Sequence, residues 1–166
     1  MEYLLLIIEF FFVKGIRSVV FYFLLPIVIG LLIYFTSDNC IYFENANNYH
    51  TNVITVLGIL IGFTISTFTM LLTVSNSNID KAKSELLNKK IFSKELSLFD
   101  SVLIGLAYIV LVQGILLIAN FIYPIFISVT SLQGKMFFAI NISFVVHVIL
   151  ILMRNILDFY FILTKK

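Results

Sequence analysis

An all-α polytopic membrane protein with four transmembrane helices is the fold class this chain predicts, and three observations carry that prediction. Hydrophobic residues make up 61% of the 166 positions and charged residues 12%, against about a quarter charged in an ordinary soluble domain. Four apolar stretches, about 17–36, 52–75, 98–124 and 135–163, each reach the ~20 residues that a bilayer crossing requires. The third observation is charge. Ten of the eleven Lys and Arg residues fall at the N-terminus (Lys14, Arg17), in the 76–97 loop (Lys81, Lys83, Lys89, Lys90, Lys94) or at the C-terminal end (Arg154, Lys165, Lys166). The 37–51 loop has none, and Lys135 alone follows the 125–134 turn. Short loops rich in Lys and Arg stay on the cytoplasmic side. The chain is therefore expected to run N-in and C-in, as a single four-span domain over 1–166.

The elements follow in order. Before the first span, Glu2 and Glu9 precede the basic residues, and no small-residue cleavage site follows, which argues against a signal peptide. Gly15 is a natural break, so Tyr3 to Val13 is expected as a short N-terminal interfacial helix. The first span carries Pro26 near its middle, where it removes one backbone hydrogen bond and should kink the helix. An outer loop, Thr36 to Asn52, rich in Asn and Tyr, follows as a small cap or contact site.

The second span is the most patterned segment. Thr51, Thr55, Gly58, Gly62, Ser66, Thr69 and Thr73 recur at helical spacing and line one face. Gly58 and Gly62 form a GxxxG that Ser66 extends. In lipid such small residues let two helix backbones approach closely. Three uses stay open for this face: packing within one chain, packing between copies, or lining a path for water or ions.

In the 76–97 loop, Ile79, Ala82, Leu86 and Leu87 recur at helical spacing, with Asn78 as N-cap. An amphipathic cytoplasmic helix is expected there. Lys81, Lys83, Lys89 and Lys90 would be its surface for a cytoplasmic protein partner.

The third and fourth spans hold polar residues at membrane depth. Counting inward from Pro124 and Lys135 places Gln113 level with His147, and Asn120 opposite Asn141. Polar groups in hydrocarbon need hydrogen-bond partners, so these four should face the bundle interior, with Gln113 and His147 available to each other. Arg154 and Asp158 fall at the inner headgroup level, where Arg154 can pair with Asp158 or with Asp100.

Several chemistries find no support. Cys40 is the single cysteine, so no intrachain disulfide, CxxC pair or thiolate metal cage can form. The five lysines of the 76–97 loop face Asp80, Glu85 and Glu95 and make no basic stripe for nucleic acid. No HExxH, carboxylate pair or Ser/His/Asp arrangement stands out. The expectation is a non-enzyme without cofactor or metal.

The stretch GFTISTFTMLLTVSNSNIDKAK, Gly62 to Lys83, resembles small four-helix bacterial membrane proteins encoded beside antiphage defence systems, of the Kiwa membrane-subunit type. That resemblance implies a homo-oligomeric, multi-pass protein of the bacterial inner membrane that detects phage attack and acts through a cytoplasmic partner. It carries over no catalytic residues. The alternative is a small ion channel or membrane-disrupting effector with a path lined by Thr, Ser and Gly.

Overall fold

The computed structural model describes residues 2–36, 39–91, 94–126 and 132–164. The side chains of Arg17, Cys40 and Lys94, residues 127–131, and Lys165 and Lys166 lie outside the described residues. The chain forms α1 (Glu2–Lys14), α2 (Ile16–Thr36), α3 (Asn39–Thr73), α4 (Ser77–Ser84), β1 (Leu86–Ile91), β2 (Lys94–Ser97), α5 (Leu98–Phe126) and α6 (Leu132–Thr164). Stretches of α3 (Asn48–Thr73), α5 (Leu98–Tyr123) and α6 (Leu132–Thr164) are each long and apolar enough to cross a membrane. Val20–Thr36 of α2 is a shorter apolar helix.

The bundle is built around α5, which packs against α3, α6 and α1, while α2 packs chiefly on α6. One buried cluster joins Phe10, Val53, Leu57, Tyr108, Ile109, Leu116, Val148, Ile151 and Leu152 across four helices. A second joins Leu71, Ile79, Ala82, Phe99, Val102, Leu106 and Ile162 at the end that carries α4 and the hairpin. We call this the charged end. Large apolar side chains such as Leu24, Ile59, Phe121 and Met153 point outward, a liability in water and the normal state of a surface solvated by lipid.

Two glycines set the helix spacing. At Gly30 on α2, a Cβ would lie 2.8 Å from the Ala139 carbonyl and would collide with Ser143. At Gly105 on α5 it would collide with the Asn155 amide. Gly15 has φ 79° and forms the break between α1 and α2, a conformation that glycine adopts without steric cost.

Four sequence expectations need correction. The 76–97 segment is not one amphipathic helix: α4 stops at Ser84, and Leu86 and Leu87 belong to an antiparallel hairpin. Its register pairs Leu86 with Ser97, Lys90 with Glu95 and Ile91 with Lys94. Tertiary context overrides the helical spacing here, because Leu96 is buried at the base of the hairpin and β2 runs straight into α5. The N-cap of α4 is Asn76, whose side chain accepts from the Asn78 backbone N–H; Asn78 instead donates to the Leu163 carbonyl.

The outer loop is also helical, since α3 begins at Asn39. Finally, α1 does not lie flat across the end of the bundle. It runs along α5, stacking Phe10 on Tyr108 at 4.0 Å and lining a groove with Leu6 and Ile7 beside Leu111, Ile115 and Ile118. Its sequence is apolar nearly all round, and such a helix gains more by packing among other helices than by lying at an interface.

Candidate functional site

Pro26 has no N–H to give the carbonyl four residues earlier, so the Tyr22 oxygen has no donor within α2. His147 on α6 supplies one. Its Nδ1 lies 2.7 Å from that oxygen, and its Nε2 lies 2.9 Å from the Tyr108 hydroxyl. A carbonyl only accepts, so Nδ1 carries the proton and Nε2 accepts from Tyr108 O–H. Phe23 packs against the imidazole at 4.2 Å. The ring thus ties α2, α5 and α6 together, and α1 joins through the Phe10–Tyr108 stack. Both nitrogens of the imidazole are used.

Gln113 is not its partner. The Gln113 side chain is 0% exposed, and both of its amide atoms lack a hydrogen-bond partner among the described residues. Both side chains face the bundle interior as expected, but the imidazole is taken up by the Tyr108 hydroxyl and the Tyr22 carbonyl. Asn155, packed on Gly105, is likewise 0% exposed with both amide atoms unpartnered.

Near the opposite end, α3 brings two neighbouring residues to the two asparagines of the expected pair. His50 Nδ1 lies 3.3 Å from Asn120 Oδ1, and Tyr49 O–H donates to Asn141 Oδ1 at 3.2 Å. His50 is a buried helix residue, stacked on Tyr123 at 5.3 Å. Asn120 also donates to the Leu116 carbonyl. Asn120 and Asn141 are thus linked through α3.

At the charged end, Asp158 accepts from Lys14 Nζ at 2.9 Å and from Arg154 Nε at 3.0 Å. Lys14 has a side chain only 7% exposed. Burial lowers its pKa, and Asp158 offsets this only in part. Lys89 of the hairpin donates to the Val13 carbonyl at 2.5 Å and the Phe12 carbonyl at 3.3 Å, placing a cation at the C-terminus of α1, where the helix dipole favours it.

Asp100 closes a capping box: it accepts from the backbone N–H and hydroxyl of Ser97, while its own N–H donates to Ser97 Oγ at 3.1 Å. Of the proposed partner-facing lysines, Lys89 is engaged as described, Lys90 pairs with Glu95 at 2.9 Å, and Lys83 sits over the Phe99 ring at 5.1 Å. Lys81 is exposed on α4.

The patterned face of α3 is an exposed surface. Val53, Leu57, Thr64 and Leu71 form the buried face of that helix. Thr55, Gly58, Gly62, Ser66, Thr69 and Thr73 lie on the opposite side, all exposed. A Cβ at Gly58 or Gly62 would meet nothing within 4 Å. Three hydroxyls turn back on their own helix: Thr55 to Thr51, Ser66 to Gly62 and Thr73 to Thr69, at 2.9–3.0 Å. Their donors are satisfied without a partner helix, and the ridge stays low enough for close approach. The described chain does not use this face to pack against itself.

Sequence reasoning missed Tyr22, Tyr108, Tyr49, His50, Asn155, Gly30 and Lys14. The Tyr22 carbonyl had a signal, four residues before Pro26. Gly30 and Gly105 had none beyond being glycines in apolar helices. No group of three or more His, Cys, Asp or Glu among the described residues is placed to hold a metal. Comparisons of the chain with protein-family models, with curated proteins and with solved structures found no match.

Proposed function

We propose that this protein is a homo-oligomeric, four-span membrane protein, N-in and C-in, whose copies meet through the α3 ridge, and that it serves as a sensor or anchor subunit working with a cytoplasmic partner. One observation carries the reading: a GxxxG-centred ridge of small residues, opposite the core face of α3, with open space over both glycines. Within a bilayer there is no hydrophobic drive between helices, so close backbone approach over small residues is the available source of affinity. Placement in an antiphage complex of the bacterial inner membrane rests on the resemblance of Gly62–Lys83. The charged end, with the hairpin and α4, would then face the cytoplasm and meet the partner.

The test is self-association in proteoliposomes, measured by energy transfer between labelled copies. Gly62→Leu should weaken association at least about tenfold, a change of ~1.4 kcal/mol, with helicity unchanged. Undiminished transfer in that variant would sink the reading. The channel alternative has its own arm: Ser66→Val or Thr69→Val should change conductance while leaving association intact. Absence of conductance in the unaltered protein removes it.

A further inference from the structure

Two cations meet on one carboxylate at the charged end, and a third lies close by. Lys14 of α1 and Arg154 of α6 both bond Asp158, at 2.9 and 3.0 Å, and Lys89 of the hairpin lies against the last carbonyls of α1 at 2.5 and 3.3 Å. Lys89 and Arg154 also lie near enough to repel the Lys14 ammonium, which places all three within one electrostatic neighbourhood. Asp158 and the partial negative charge at the α1 C-terminus leave positive charge in excess among the described residues. Arg154 is about half exposed, at 46%, so that excess is reachable from outside the bundle.

The surroundings are apolar and outward-facing. Phe12 on α1, and Met153, Leu157 and Phe161 on α6, are each more than half exposed and sit within about two turns of the cluster. A cationic group flanked by exposed apolar helix surface matches both halves of a phospholipid, an anionic head and acyl chains. Basic pockets between membrane helices on the cytoplasmic side bind such headgroups.

We propose that the cluster of Lys14, Lys89 and Arg154 is a binding site for the headgroup of an anionic phospholipid. The phosphate sits against Arg154 and Lys89, while Lys14 stays on Asp158 and holds the carboxylate away from the lipid. The acyl chains lie on Phe12, Met153 and Leu157. The site belongs to a single chain and stands whether or not copies associate through α3.

The full-length protein in nanodiscs of phosphatidylcholine, with or without phosphatidylglycerol, provides the experiment, with retained lipid counted by native mass spectrometry. The expected result is preferential retention of phosphatidylglycerol. Arg154→Gln and Lys89→Gln should each reduce that preference about fivefold, the scale of one surface cation near an anionic lipid. Lys81→Gln, at an exposed α4 position outside these contacts, should leave it unchanged. Equal retention of the two lipids would overturn the proposal, as would equal losses in all three variants. Displacement by excess inorganic phosphate would also overturn it, because a free anion site would then explain the binding. If a variant fails to fold, its loss of helical ellipticity will show it, and Arg154→Lys, which keeps the charge, should then restore both fold and preference.

Discussion

Replacing His147 by leucine should cost stability in the native chain and much less once Pro26 is also replaced by alanine. In the native chain the substitution strands two buried groups: the Tyr22 carbonyl, 2.7 Å from Nδ1, and the Tyr108 hydroxyl, 2.9 Å from Nε2. An unpaired buried group costs about 1–3 kcal/mol, but interhelical hydrogen bonds in membranes have measured nearer ~0.6, with a maximum of about 1.7. Taking the membrane scale for two groups gives roughly 1–3 kcal/mol. In the Pro26→Ala background, the alanine N–H returns to the Tyr22 oxygen and only the Tyr108 half remains. The coupling between the two substitutions should therefore be about 0.6–1.7 kcal/mol. Four proteins, the native chain, both single variants and the double, would be unfolded by SDS titration in mixed micelles and followed by circular dichroism. If His147→Leu costs the same in both backgrounds, within the ~0.3–0.5 kcal/mol expected of independent sites, then His147 does not answer the gap left by Pro26.

The remaining expectations concern single positions. Gly105→Leu and Gly30→Leu should each lower the unfolding free energy by about 1–3 kcal/mol through overpacking, whereas Gly58→Leu should leave the monomer's unfolding curve in place, since nothing lies within 4 Å of that glycine. Gln113→Leu should stabilise the chain by about 1–3 kcal/mol, because it removes a buried amide with neither atom partnered; a loss of stability would reveal a partner for that amide. Burial holds the Lys14 pKa below 10.5 in the fold. The fold therefore disfavours the charged ammonium at lower pH, and the penalty is relieved as pH rises through the folded pKa toward 10.5. Relative to Lys14→Met, the native chain should gain stability over that rise, and a flat difference across the range would contradict the argument.

The long helices were legible because apolar length is a strong signal. The first, third and fourth stretches, 17–36, 98–124 and 135–163, fall within a few residues of α2, α5 and α6. The Arg154–Asp158 pair followed from its spacing of four. The start of α3 was not legible, because Asn and Tyr between 39 and 52 read as a loop, although the helix continues through them to carry Tyr49 and His50 inward. The hairpin was hidden by Leu86 and Leu87, which fit a helical repeat with Ile79 and Ala82 equally well. Pairing between helices was the least readable layer. A depth count gives level but not partner: His147 bonds the Tyr108 hydroxyl and the Tyr22 carbonyl, not the Gln113 amide.

The join between β2 and α5 has a mechanical consequence. Ser97 ends the strand and Leu98 begins the helix, with the Ser97–Asp100 capping box locking the joint. No slack residue separates them. The hairpin is therefore a crank fixed to one helix, and through Lys89 it also grips the end of another. Torque applied at its tip would reach α5 through the chain itself, and α1 by two routes, the Lys89 ammonium on its last carbonyls and the Phe10–Tyr108 stack that packs it on α5.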